Sequence, residues 1–284
     1  MAVAETPTPT PTRPAAAPRK APGRGAGRVV DWALGIWSVL ALAYLFIPVA
    51  IVILFSFNDN QGRFNFTWQG FTLRHWEHPF ADPDLANALK TSLEVALIAT
   101  LISVALGTFM AMALVRYRFR GKSSTNLLIF LPMSTPEIVL GASLLTLFLN
   151  LGVATGFWTI VVAHIMFCVS FVVVTMKARF AGFDRALEEA AMDLGATPWR
   201  TFRRVTLPLI APGVLAAALL AFSLSIDDFV VTQFNAGTTV TFPLFVWGSA
   251  RVGAPPQVNV IGSMIFLVAV GLMLINVLIQ RRRA

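Results

Sequence analysis

KARFAGFDRALEEAAMDLGATPWRTFRRVTLPL, residues 177–209, is a charged stretch set between two apolar runs. Asp184 is placed to cap a short helix over 185–194, with Glu188 and Glu189 in its first turns, where negative charge suits the positive helix end. Gly195 follows where a residue without a Cβ can turn left-handed and stop a helix. Thr197 and Pro198 restart one as N-cap and first residue. In that second helix Trp199, Phe202 and Val205 recur every third residue, and Arg200, Arg203 and Arg204 lie elsewhere around it. Leu207-Pro208 is expected to end it. The pattern is a helix–Gly–helix element lying along a membrane face. Ala190, Ala191 and Gly195 permit close approach by another backbone, which favours a protein-docking surface; an interfacial amphipathic hairpin with no partner is the alternative.

The rest of the chain supports a membrane setting. Of 284 residues, 56% are hydrophobic and 13% charged, and the mean hydropathy is +0.72. A soluble domain carries about a quarter charged residues. A helix needs about 20 apolar residues to cross a bilayer, and six stretches qualify: 32–57, 91–115, 127–149, 157–176, 210–231 and 258–280. Pro132 and Pro136 should bend or break the third of these. The expected fold class is an all-α integral membrane protein of six transmembrane helices over 31–284. Residues 1–30 form a Pro/Thr/Ala/Arg-rich tail that cannot bury a core and is expected to be disordered. The single cysteine, Cys168, lies in an apolar run and reads as a small buried hydrophobe.

Charge sets the orientation. Eighteen of the 22 Lys and Arg residues fall in the N-terminal tail, the 116–126 and 177–209 loops and the C-terminus. The opposite side has Arg63, Arg74, Lys90 and Arg251. By the positive-inside bias both termini are expected in the cytoplasm. The net charge of +8 is thereby explained as topology, with no nucleic acid partner.

Acids inside spans are costly, about 2.5–3.5 kcal/mol for a charged residue at mid-bilayer. Glu137 follows Pro136, and Asp227 and Asp228 lie in the outer part of 210–231. They would line a water-filled path and attract a cation, with Phe229, Phe234 and Trp247 adding cation–π contacts. For Asp227 and Asp228 the alternative is a helix break whose freed amides the carboxylates cap; for Glu137 it is a structural or gating role. His164, alone in 157–176, reads as a packed, hydrogen-bonded side chain. His75 and His78 have the spacing of two metal ligands but lack a companion Cys or third His. No G-x-x-x-x-G-K-S/T loop is present, so an ATP-driven process would need its nucleotide held by another chain.

Glu189-Ala190-Ala191, then Gly195, then Leu207-Pro208 resembles the EAA motif of bacterial ABC importer permeases. Residues 91–149, with RYRFRGK, LPMSTPEIVLG and SLSIDDFVVTQF, are similar to the second permease of spermidine/putrescine-type importers. The matching stretches cover nearly all of the chain beyond residue 30; the long Pro/Thr tail departs from the pattern. The resemblance implies a type I ABC importer permease fold with a cytoplasmic coupling helix, in a coupling region at 183–208. It implies ATPase coupling through Glu188, Glu189, Ala190, Ala191, Asp193, Gly195, Leu207 and Pro208. It also implies a second permease as heterodimer partner, two ATPase subunits docked on the 183–200 loop, an extracytoplasmic binding protein and residence in the bacterial cytoplasmic membrane. The expected cargo is a polyamine; an amino-acid-like amine, a sugar or ferric iron is the alternative. ATP and Mg would be bound by the partner ATPase, and no cofactor by this chain. A secondary transporter is a weaker reading, since no inverted repeat is evident.

Overall fold

The computed structural model describes residues 24–62 and 64–283, with side chains from residue 31 onward as far as 271, and for Leu274. Residues 1–23 of the expected tail lie outside the described residues. The chain divides into two compact units, Met1–Ile51 and Val52–Ala284.

α1 (Arg24–Phe55) begins seven residues earlier than the expected tail boundary. The last helix-breaking pair of the tail is Pro22-Gly23, and beyond it Ala26, Arg28, Val29 and Val30 lead into the apolar run. After α1 the chain forms a small cap over residues 56–82 that contains α2 (Arg74–Glu77). Buried Asn58 organises it: its amide donates to Asn65 Oδ1 (2.6 Å) and to the Thr67 carbonyl (2.8 Å), and its Oδ1 accepts from the Gln69 amide (2.7 Å). Phe57 stacks between Phe71 and Trp76, and the Trp76 indole donates to Ser56 Oγ.

α3 (Pro83–Arg116) starts with Asp82 accepting from the amides of Asp84 and Leu85, and with Pro83 in its first turn. α4 (Lys122–Ser134) and α5 (Glu137–Asn150) meet at a 108° bend. The 127–149 stretch, expected to bend or break at its prolines, is thus two helices. Pro136 has no N–H to continue α4 and holds Thr135 in extended backbone. α6 (Phe157–Ala181) follows, then α7 (Ala186–Asp193) and α8 (Pro198–Thr201). A π-helical turn (Phe202–Thr206) leads directly into α9 (Leu207–Ile226). Leu207-Pro208 therefore does not end the second loop helix. A proline in the first turn of a helical segment loses little, and the wide turn before it closes with the Leu207 N–H on the Phe202 carbonyl. α10 (Val230–Asn235), α11 (Phe242–Val252) and α12 (Gln257–Arg283) complete the chain.

Four stretches are long and apolar enough to cross a bilayer among the described residues: Asp31–Phe55, Pro83–Arg116, Phe157–Ala181 and Pro198–Ile226. The bent α4–α5 pair makes a fifth if counted as one span, and the Gln257–Gly271 part of α12 is a shorter apolar stretch. Among these residues the extended structure is one isolated bridge, Asn58 to Phe71.

α3, α6 and α9 pack closely on one another. Lipid supplies no hydrophobic drive between helices, so close association needs small residues. Ser103, Gly107 and Ala111 on α3, and Ala217, Ala221 and Ser225 on α9, are buried at four-residue intervals along one face of each helix. At Gly107 a Cβ would fall 2.5 Å from Val172 Cγ1, so α3 and α6 touch there through backbone.

Candidate functional site

Two helix breaks meet around one cavity of about 400 Å³. The first is the bend between α4 and α5, which puts Glu137 at the first position of α5. The second is the gap between α9 and α10, which holds Asp227, Asp228 and Phe229. α10 packs on α5. Their junction is tied by Asn235, whose amide donates to the carbonyls of Gly141 (3.3 Å) and Val231 (2.9 Å). Glu137, Asp227, Asp228 and Phe229 all line the cavity, with Phe167 and Phe171 of α6 among its apolar walls.

The two aspartates differ. Asp228 accepts from the Thr232 amide (2.8 Å), the Val231 amide (3.4 Å) and the Thr232 hydroxyl (2.7 Å), so it caps the start of α10. Its side chain is 7% exposed. Asp227 and Glu137 are exposed. Asp228 thus caps freed amides at the break, and Asp227 stands exposed at the cavity.

His164 joins the second break from behind. It is buried on α6, with Nδ1 2.7 Å from Ser225 Oγ and Nε2 2.9 Å from Thr232 Oγ1. Nε2 also lies 3.3 Å from Asp228 Oδ2. One set of roles satisfies the whole chain: Ser225 donates to Nδ1, Nε2–H donates to Thr232, and Thr232 donates to Asp228. Ser225 lies in the last turn of α9 and Thr232 belongs to α10, so His164 holds both sides of the gap.

Trp247, on α11, is outside the cavity lining. It packs on Phe229 with ring centroids 5.1 Å apart, and Arg251 already lies over its ring at 5.1 Å. Its cation–π capacity is engaged within the chain. Phe234 lies against Gly141, where a Cβ would come within 2.8 Å of its ring.

The 183–208 loop has a buried and an exposed side. Asp184 accepts from the Ala186 amide (3.0 Å), and the Thr197 hydroxyl accepts from the Arg200 amide (3.4 Å). Gly195 stands between α7 and α8 with φ +86°, a conformation that favours glycine. Glu189, Ala190, Asp193 and Gly195 are exposed, as are Leu187, Met192 and Trp199, and Leu194 is 90% exposed. Ala191 is half-buried; Leu207 and Pro208 are exposed on the continuous helix. Glu188 points the other way: it is buried and binds the Arg116 guanidinium and the Thr206 hydroxyl. Sequence reasoning missed these two partners. Arg116 had served there only as a topology signal, and no local pattern marks Thr206.

His75 and His78 part company: His75 is buried and His78 exposed. Among the described residues, no three of His, Cys, Asp and Glu are grouped to hold a metal ion.

Residues 103–284 match the family of binding-protein-dependent transport system inner membrane components. The chain is 40% identical over 240 residues to the spermidine/putrescine transport system permease protein PotC of Escherichia coli (strain K12), covering 84% of this chain and 90% of that protein. It is 37% identical over 243 residues to the putrescine transport system permease protein PotI of the same organism, covering 82% and 85%. In structure it is similar to a chain of a bacterial ABC transporter involved in the import of the acidic polysaccharide alginate, with TM-score 0.65 and 16% identity over 93% of this chain and 99% of that one. A chain of the MetNI methionine ABC transporter gives TM-score 0.54 and 17% identity over 68% and 92%. At such identities the likeness is one of fold.

Proposed function

Because the chain belongs to the binding-protein-dependent transport system inner membrane components, we propose that it forms, with a second permease, the path by which a polyamine enters the cell. The observation that carries the cargo is the open pair of carboxylates, Glu137 and Asp227, at the two helix breaks around one cavity. A polyamine is a flexible chain of ammonium groups, and separated carboxylates beside aromatic walls match it in charge and in character. An acidic polysaccharide would be repelled there. The names of the relatives, spermidine/putrescine and putrescine permeases, support the same cargo.

In this reading Asp228 serves the path indirectly. Its lone pairs are committed to α10 and it neighbours His164, so it shapes the break that presents Asp227. The helix N-termini of α5 and α10 open toward the same region, and acidic side chains offset their positive ends. The exposed side of the docking loop, from Glu189 to Gly195 with Leu194 and Trp199, receives a separate ATPase that binds ATP and Mg. Two ATPases and an extracytoplasmic binding protein complete the assembly, and the loop faces the cytoplasm together with both termini.

The test is uptake by the assembled importer. Asp227→Asn and Glu137→Gln should each raise the KM for spermidine about tenfold, the worth of one charged hydrogen bond. ATPase subunits should still co-purify with both. Unchanged spermidine kinetics in both variants would remove the cation-path reading. Stimulation of ATP hydrolysis by a sugar-loaded or iron-loaded binding protein, and not by a spermidine-loaded one, would change the cargo.

A further inference from the structure

Behind the docking helix lies a polar node. Glu188 is 8% exposed, whereas Glu189, the next residue, is on the surface. Glu188 Oε1 accepts from the guanidinium of Arg116 and from the hydroxyl of Thr206. Arg116 is the last residue of α3, and its guanidinium sits 6.0 Å above the ring of Phe180, near the end of α6. Phe180 is itself buried. Thr206 closes the π-helical turn that becomes α9. One carboxylate of α7 is therefore held against the ends of the three helices that make up the core, α3, α6 and α9. Among the described residues, the other polar link between this region and α3 is a long one, from Arg185 to the Val115 carbonyl at 3.4 Å.

The pair resists separation, because Glu188 left alone would be a buried, unpaired carboxylate beside a half-buried guanidinium. A displacement of α7 is then carried to its partners instead of being absorbed in a slack loop. Thr206 lies in the π-helical turn itself, with its hydroxyl donating to Glu188 of α7. We infer that Glu188 is a positioning residue that transmits movement of the docked α7 to α3, α6 and α9, while its exposed neighbours make the contact with the motor. This rests on the proposed ATP-driven function and assigns a separate task to a residue that the motif alone would place at the docking contact.

The experiment uses the complete importer reconstituted in liposomes, with spermidine as solute, and measures spermidine imported per ATP hydrolysed. Glu188→Gln keeps the shape of the side chain and removes its charge. The expected result is a fall in that ratio of about tenfold, within the range of couplings between distant sites, with ATPase subunits still present in the purified complex. Arg116→Gln should give the same fall. The charge-swapped pair Glu188→Arg with Arg116→Glu should recover part of it. A normal ratio in Glu188→Gln overturns the proposal, and so does loss of the ATPase subunits from that complex, which would make Glu188 a docking contact. If neither single variant accumulates, the swapped pair decides: a coupled complex supports the proposal, and failure to assemble overturns it. A wild-type complex with no ATP-dependent uptake would instead sink the importer reading itself.

Discussion

Asp227 and Asp228 are adjacent, and the gap between α9 and α10 sends them different ways. Backbone amides freed at the start of α10 need acceptors, and Asp228 is the residue in reach. His164 then makes the arrangement rigid by bonding to Ser225 before the gap and Thr232 after it. Replacing His164 by Leu would remove the imidazole partner of the Ser225 hydroxyl and one of the partners of Thr232. The expected loss is about 2–3 kcal/mol of stability, read as a lower denaturant midpoint of the detergent-purified chain, with His164→Gln losing less. An unchanged midpoint would mean that the network contributes nothing. A packed histidine was legible from its place in an apolar run. Its partners were not, because they lie 61 and 68 residues away and meet it only through the packing of α6 on the broken helix. The same holds for Glu188: two consecutive glutamates in an amphipathic turn look alike in sequence, and only the helix phase against Arg116 separates them.

Prolines show how far element boundaries can be read. Pro136 broke the predicted 127–149 span because it follows a helix that it cannot continue. Pro208 did not stop its helix, because the π-helical turn placed it where a missing N–H matters little. Nothing in FRRVT announces a wide turn, so the sequence pattern could not distinguish the two cases. The 56–82 cap is rich in aromatic and turn residues, and its organising residue, Asn58, carries no sequence motif. This cap should respond to acid. His75 is buried within it, and burial first, then the positive charge of Arg74, push its pKa below the ordinary 6.5. The folded cap thus favours the neutral ring, and the opened cap binds a proton more readily. The stabilisation is complete above pH 6.5 and is lost as pH falls below it toward the lowered value. The protection of amides 70–78, taken as exchange relative to the intrinsic rate at each pH, should therefore fall on acidification from pH 7 to 5, and His75→Gln should flatten that dependence. Equal pH dependence in both chains would show that another group controls the cap.

For the molecule as a whole, the apolar spans and the small-residue faces establish a lipid-embedded bundle, whereas the side each end faces rests on charge. Eighteen Lys and Arg residues lie on one predicted face and four on the other. Each cationic loop held back from translocation adds to the same bias, so the topology should be single and not mixed. It can be checked with single cysteines, because the one native thiol, Cys168, is buried and can be replaced by Ala. Gln69 in the 56–82 cap and Ser123 at the start of α4 are both exposed, outside the long apolar helices. In intact cells a membrane-impermeant maleimide should label Gln69→Cys at once and should label Ser123→Cys only after permeabilisation. The opposite pattern would put the docking loop outside the cell, away from ATP, and no motor could then drive this chain through α7.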